Sequence, residues 1–403
     1  MPLARKLGLT DAVFIGLGSM IGAGVFAAFA PAAQAAGSGL LPALAVAALV
    51  AYCNATSSAR LAAQYPESGG TYVYGRARLG EFWGYLAGWG FITGKTASCA
   101  AMTLTVVAYA APGLGQPWRS VLAVGVIAVV TGVNYLGVQR SALATRVIVC
   151  VTLAVLALVS FSGFSAGFAV SWTPFHGNGI LEAAGLLFFA FAGYARLATL
   201  GEEVRDPART IPRAIPLALS LTLVVYAVIA VVLLVTLGPD RLATSPDPLA
   251  EVTPWLSPVV RGGATLAALG SLLALVLGVS RTTLAMARDG HLPRALTAVH
   301  PRFEVPHRAE LAVGVVVAIL ATTTDLRGAI GFSSFAVLAY YAVANAAALT
   351  LSRTENAAPK AVAVTGLVGC VVLAFSLPLS SVVGGCLVLA VGTTAYFLRR
   401  RVS

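Results

Sequence analysis

The feature that most constrains this chain is its division into long apolar runs almost free of charge. Twelve can be counted, near 10–34, 40–62, 81–111, 119–136, 141–161, 179–201, 213–237, 257–286, 309–325, 328–351, 361–377 and 379–398. Each is about 16–30 residues, long enough to cross a hydrocarbon core of about 30 Å as a helix. In lipid the backbone N–H and C=O groups must be satisfied within the segment, so such runs are helical. Only 10% of the 403 residues are charged and 58% are hydrophobic. A water-facing surface needs about 25% charged residues. An ordinary cytosolic enzyme, a disordered chain and a secreted disulfide scaffold are therefore excluded. The expectation is an all-α polytopic membrane protein, one transmembrane domain over residues 1–403.

The net charge of +11 could suggest a nucleic-acid binder, but the basic residues sit in the short breaks between runs. There they signal topology. With the N-terminus cytoplasmic, 20 of the 26 lysines and arginines fall on the inner side, among them Arg5, Lys6, Arg60, Arg76, Arg78, Arg140, Arg205, Arg209, Arg213 and Arg399-Arg400-Arg401. Four (Arg119, Arg241, Arg261, Arg327) fall outside, and Lys95 and Arg196 lie within spans. This asymmetry places both termini in the cytoplasm and requires an even span count. The first run is too long and glycine-rich for a signal peptide.

Cys53, Cys99, Cys150, Cys370 and Cys386 are odd in number, lie in apolar runs and form no Cys-x-x-Cys pair. They predict neither a disulfide nor a metal site. His176, His291, His300 and His307 have no partner at metal-ligand spacing, and no cluster of His, Asp or Glu marks a membrane enzyme. No cofactor is expected. The longest outer segment, about 238–256, carries Pro239, Pro246, Pro248 and Pro254 and reads as an ordered cap.

The first span contains Gly16-Leu17-Gly18-Ser19-Met20-Ile21-Gly22-Ala23-Gly24-Val25-Phe26. Glycine costs about 1 kcal/mol in a helix interior relative to alanine. A phosphate loop would need a preceding strand, which is missing. Close packing through the small residues Gly18 and Gly22 is one reading. The other is an unwound helix whose amides and carbonyls hold a solute at mid-membrane. The sixth span repeats the pattern in Phe188-Phe189-Ala190-Phe191-Ala192-Gly193-Tyr194, with Gly193 171 positions after Gly22. Two interrupted helices one half-repeat apart suggest five-helix units of opposite orientation, over 10–161 and 179–351, with 361–398 as two additional helices.

Four segments carry a specific resemblance. Gly18-Ser19-Met20-Ile21-Gly22-Ala23-Gly24-Val25-Phe26 resembles the first-helix signature of the amino acid–polyamine–organocation (APC) superfamily. Phe191-Ala192-Gly193-Tyr194, followed by Glu202-Glu203-Val204-Arg205-Asp206-Pro207, resembles its sixth-helix motif. Pro66-Glu67-Ser68-Gly69-Gly70-Thr71-Tyr72 resembles its second loop, and Arg288-Asp289-Gly290-His291-Leu292-Pro293 the loop after span eight. The resemblance implies a LeuT-like fold of ten core helices plus two, and amino acid permease activity by alternating access at the cell membrane.

A zwitterionic amino acid needs partners at both ends in a low-dielectric site. The resemblance assigns its carboxylate to the amides of Gly22, Ala23 and Gly24, with Ser19 assisting, and its ammonium to the carbonyls of Met20, Phe189 and Ala192. Ile21, Gly193 and Tyr194 complete the expected site, and Phe191 is either a gate or ordinary packing. The expected mid-span region contains no acidic residue, since Glu182 and Asp11 lie near span ends. Lys95 would oppose a cationic substrate, so neutral L-amino acids are favoured over cationic amino acids or polyamines. Some members of the superfamily place a lysine on the fifth span where related transporters hold sodium. Alignment through Gly137-Val138-Gln139-Arg140-Ser141-Ala142 puts Thr152 there. Lys95 is then either a proton carrier for coupling or a fixed cation pinned by carbonyls or hydroxyls, with sodium coupling or another mechanism as the third alternative. The charged run Glu202, Glu203, Arg205, Asp206, Arg209, Arg213 is either a solvated connection or an inner gate. A receptor that keeps the fold without transport and a channel are the remaining classes; the glycine breaks oppose the first, and the lack of an acidic ring or filter loop the second.

Overall fold

The computed structural model describes residues 7–67, 69–137, 142–165, 177–198, 200–201, 203–355 and 358–402. Arg5, Lys6, Ser68, Val138-Gln139-Arg140-Ser141, His176 and Glu202 lie outside the described residues.

The helices follow the apolar runs closely. They are α1 Leu9–Ala27, α2 Phe29–Ala36, α3 Leu40–Gln64, α4 Thr71–Leu79, α5 Glu81–Ala110, α6 Trp118–Tyr135, α7 Ala142–Ser165, α8 Ile180–Phe191, α9 Ala195–Ala198, α10 Pro207–Thr244, α11 Pro248–Val252, α12 Ser257–Arg288, α13 His307–Thr323, α14 Leu326–Leu349, α15 Lys360–Ser376 and α16 Leu379–Val402. Among the described residues, ten helical segments are long and apolar enough to cross a membrane. α13 and α15, each 17 residues, fall just short of that length. The chain is an all-α polytopic membrane protein. Large apolar side chains on its perimeter stay exposed, as at Phe161, Val129 and Leu387, which lipid rather than water would cover.

The breaks differ from the expectation in one respect. The sixth span is interrupted as anticipated: α8 ends at Phe191, a 3₁₀ turn covers Ala192–Tyr194, and α9 resumes at Ala195. The first span is not. α1 runs unbroken through Gly18, Gly22 and Gly24, and the chain bends only at Ala28 before α2. The expected unwinding at Gly18–Gly24 is therefore corrected to close packing. A methyl group on Gly24 would lie 2.9 Å from the Ala190 Cα of α8, and one on Gly193 would lie 2.6 Å from the Met20 backbone nitrogen. The glycines let α1 and α8 cross almost backbone to backbone.

The proline-bearing segment 238–256 forms an ordered cap, as the prolines suggested. α10 kinks at Gly238, where φ is 71°, and α11 follows with Leu249 fully buried. Ion pairs of Arg241 with Glu251 (3.0 Å) and Arg261 with Asp247 (2.8 Å) tie the cap down. At the opposite end, the two loop motifs meet. Tyr72 donates to Asp289 (2.5 Å), Arg76 pairs with Asp289 (2.9 Å), and Tyr72 lies 2.9 Å from His291 Nδ1. Burial lowers the His291 pKa, against the pull of Glu81 and Asp289.

Candidate functional site

Where α1 crosses α8, three helices are stitched by one phenol. Tyr226 on α10 donates to the carbonyl of Met20 at 2.6 Å and lies 3.1 Å from that of Ala190. From α12, Ser271 donates to the Gly18 carbonyl at 2.9 Å. From α5, Lys95 donates to the Ala192 carbonyl, in the 3₁₀ turn, at 3.0 Å. Lys95 is 6% exposed. A 3₁₀ turn leaves carbonyls less well satisfied than an α-helix, so the break gives a buried ammonium group an acceptor.

These contacts revise the expected chemistry. The amides of Gly22, Ala23 and Gly24 belong to a continuous helix and are taken up in its hydrogen-bond ladder. The three carbonyls expected to be unpaired all have donors: Met20 from Tyr226, Ala192 from Lys95, and Phe189 from the Ala192 amide.

A cavity of about 510 Å³ begins at this crossing. Ser19, Met20, Gly24, Lys95, Phe189, Ala192 and Gly193 line it, so seven of the expected residues are brought together. Its walls are largely apolar, from Phe91, Met102 and Leu275, and it runs past Arg281 and Ala285 to Glu203 and Glu304. It opens toward the end of the bundle that carries Leu7. The far end is packed shut: Phe26 meets Tyr109 edge-on at 5.5 Å, and Phe29 meets Tyr226 at 6.0 Å.

The remaining expected residues lie elsewhere. Ile21, Gly22 and Thr152 line a second, smaller cleft between α1, α7 and α12, which Ser19 also borders. Thr152 donates to its own helix at Ile148 (2.8 Å). The two residues assigned to coupling thus face different spaces. Phe191 is fully buried against Tyr226 (5.1 Å) and forms no wall of either cavity, which is the packing alternative of the two. Tyr194 is buried against Tyr341 (4.9 Å), and Ala23 packs in a cluster with Cys99 and Leu272.

Sequence reasoning missed Tyr226 and Ser271. The signal for Tyr226 was present: a lone tyrosine in the run Thr222-Leu223-Val224-Val225-Tyr226-Ala227-Val228 must find an acceptor for its hydroxyl when buried. The signal for Ser271 was weaker, because serines in spans commonly bond to their own helix.

At the loop after α9, Leu7 and Val204 form an isolated parallel bridge, with Leu7 N donating to Glu203 O (3.1 Å) and Arg205 N to Leu7 O (2.9 Å). Arg196 pairs with Glu203 at 3.7 Å, and Arg209 with Asp206 at 3.8 Å where both are exposed. Pairs of the second kind contribute about 0–1 kcal/mol.

The packing at Gly22 gives a first prediction. A methyl group there would overlap the Ser271 hydroxyl. Gly22→Val is expected to force α1 away from α12 and to abolish substrate uptake while the protein still reaches the membrane. Uptake assays normalised to protein in the membrane fraction measure this, and normal uptake would refute it.

Comparison with known proteins places the chain. The family described as amino acid permease matches residues 7–396. A protein of Mycobacterium tuberculosis described as an uncharacterized transporter is 65% identical over 408 residues, covering 99% of this chain and 92% of its own. The branched-chain amino acid permease BcaP of Bacillus subtilis is 26% identical, over 99% of this chain and 94% of its own. The cationic amino acid transporter 7 of Arabidopsis thaliana is 29% identical, over 85% of this chain and 65% of its own. A match along nearly the whole length accounts for the long apolar helices, the interrupted sixth span and the mid-span cavity together: the chain belongs to the amino acid permease family of the APC superfamily and is a multi-pass membrane transporter of amino acids, not an enzyme.

Proposed function

We propose that the chain carries neutral L-amino acids across the cytoplasmic membrane by alternating access, with both termini cytoplasmic. The observation that carries this reading is Lys95, held at the Ala192 carbonyl on the wall of the central cavity. An ammonium group there attracts the substrate carboxylate and opposes a cationic side chain. Among the described residues two carboxylates line the cavity, Glu203 and Glu304, and Glu203 is already paired with Arg196 at 3.7 Å. Phe91, Met102, Phe189 and Leu275 suit an apolar side chain. The names of the relatives point both ways, to branched-chain and to cationic amino acids, and the position of Lys95 favours the former.

The bond from Lys95 to Ala192 supports a fixed cation at this position rather than a proton carrier. The basic residues of the loops support the orientation. The antiparallel crossing of α1 and α8, each the first long helix of its half, supports two inverted units over 10–161 and 179–351 with 361–398 added. The cavity is then the cytoplasm-facing access route, and the packed end of the bundle the closed outer gate.

The test is uptake into proteoliposomes in competition with alanine, serine, leucine, phenylalanine, lysine and arginine. Neutral amino acids are expected to inhibit most. Stronger inhibition by lysine or arginine than by every neutral competitor would refute the substrate class.

A further inference from the structure

Glu310 lies in the first turn of α13, outside the substrate cavity, and is 0% exposed. Neither of its carboxyl oxygens has a hydrogen-bond partner. Two further polar atoms from α6, the Thr131 hydroxyl and Asn134 Oδ1, are also buried and unpartnered. Asn134 faces Glu310 and uses one Nδ2 hydrogen to donate to the Leu273 carbonyl of α12 at 3.1 Å, so its second amide hydrogen is what it can turn toward the carboxyl. Thr131 abuts Gly314, one turn along α13 from Glu310.

An ionised carboxylate buried without a partner carries a desolvation penalty of several kcal/mol. A neutral carboxyl avoids most of it. Arg281 of α12 is the charged side chain that acts on Glu310, yet it lines the substrate cavity and makes no hydrogen bond to the carboxyl. The other ionisable groups on the elements packed around α13 are engaged elsewhere or lie apart. On α5, Glu81 meets His291, Tyr85 donates to Gly392, Lys95 to Ala192, and Cys99 sits in an apolar cluster. On α6, Arg119 is at the opposite end and Tyr135 stacks with His300 and His307. Arg294, Arg302, Glu304 and Arg308 are exposed on the neighbouring turns and loop.

We propose that Glu310 is a proton-binding site of the transport cycle, loaded with one proton while the cavity is open toward the N-terminal side, and that closure of the cavity onto Arg281 releases that proton to solvent. The carboxyl O–H bond breaks, the electron pair stays on the carboxylate, and the guanidinium balances the charge. Protons on the N-terminal side therefore favour the open state. This rests on the alternating-access reading but not on the substrate.

The test uses the full-length protein in proteoliposomes, with Cys150 and Cys386 replaced by serine and Ala285→Cys as a reporter on the cavity wall. Labelling by a membrane-impermeant maleimide from the N-terminal side is measured from pH 6 to 8 and corrected for reagent reactivity with a small thiol. The corrected rate is expected to fall at least about fivefold as pH rises, the low end of a typical two-site coupling. Glu310→Gln, a permanent mimic of the neutral acid, should hold the fast rate at every pH. Glu310→Asp should keep a pH dependence. A flat profile in the parent protein, a parental profile in Glu310→Gln, or a Glu310-dependent response to sodium instead of pH would overturn the proposal. His291 also titrates, so the comparison of Glu310 variants within one background decides. Since labelling needs no substrate, a parent that labels as expected but carries no amino acid would refute the transport reading alone.

Discussion

Gly193→Ala should eliminate transport. The added carbon would fall on the backbone of Ser19 and Met20, 2.6 Å from the Met20 nitrogen. Backbone cannot rotate away as a side chain can, so α1 and the 3₁₀ turn must separate. Three hydrogen bonds depend on that spacing: Tyr226 to Met20, Tyr226 to Ala190 and Lys95 to Ala192. Overpacking of this kind costs about 1–3 kcal/mol, and a buried bond to a charged group contributes about 1.5–3 kcal/mol. The expected outcome is a folded protein with uptake below about 1% of the parent, since about 2.7 kcal/mol corresponds to a hundredfold. Gly185→Ala provides the control: its methyl group meets the Leu377 side chain at 2.9 Å and the Leu373 carbonyl at 3.1 Å, away from the cavity. Equal loss in both variants would show that Gly193 matters only for stability.

The sequence made the architecture readable because a membrane leaves few ways to bury a backbone. Run lengths located every long helix, and the charge-poor stretches matched the described spans within a few residues at most ends. The break between the runs 361–377 and 379–398 likewise falls between α15 and α16. The site was less legible. Gly193 and Gly22 look alike in sequence, yet one sits in a 3₁₀ turn and the other in an intact helix. A glycine that loosens a helix and a glycine that admits a neighbour differ only in where the neighbour lies. For Gly22 that neighbour is Ser271, 249 positions away along the chain. For Met20 it is Tyr226 on α10, whose hydroxyl takes the carbonyl assigned to substrate. Thr152 was placed by alignment to one position on one helix, and the packing of α7 against α1 and α12 turns it toward a separate cleft. Lys95 was picked out by its charge alone, because a cation at that depth demands a partner. The partner's identity, a carbonyl of the interrupted helix, required the fold.

Lys95→Met should then cost substrate affinity first and stability second. Methionine keeps the length and apolar stem of lysine but removes the ammonium group. The Ala192 carbonyl loses a donor at 3.0 Å, but it borders a cavity large enough to admit water, so the loss is partly made good. A carboxylate entering the cavity loses its cation outright. A hydrogen bond to a charged group contributes about 1.5–3 kcal/mol, so apparent affinity for a neutral amino acid should fall about ten- to a hundredfold. Lys95→Arg keeps the charge in a planar, bulkier head that cannot reproduce the single bond to Ala192, and it should recover only part of the affinity. Removing the positive charge also lifts the opposition to basic substrates, so lysine and arginine should compete better against Lys95→Met than against the parent, relative to leucine. The two effects separate the possible roles. A purely structural Lys95 would lower the amount of folded protein while leaving affinity and the order of competitors unchanged. A proton-carrying Lys95 would leave exchange of substrate intact in the methionine variant and abolish only pH-driven accumulation. A fixed cation that binds carboxylate lowers affinity in exchange and in net uptake alike, because both begin with the same bound substrate. Measuring apparent affinity in both modes, from pH 5 to 8, therefore decides what the buried ammonium group does.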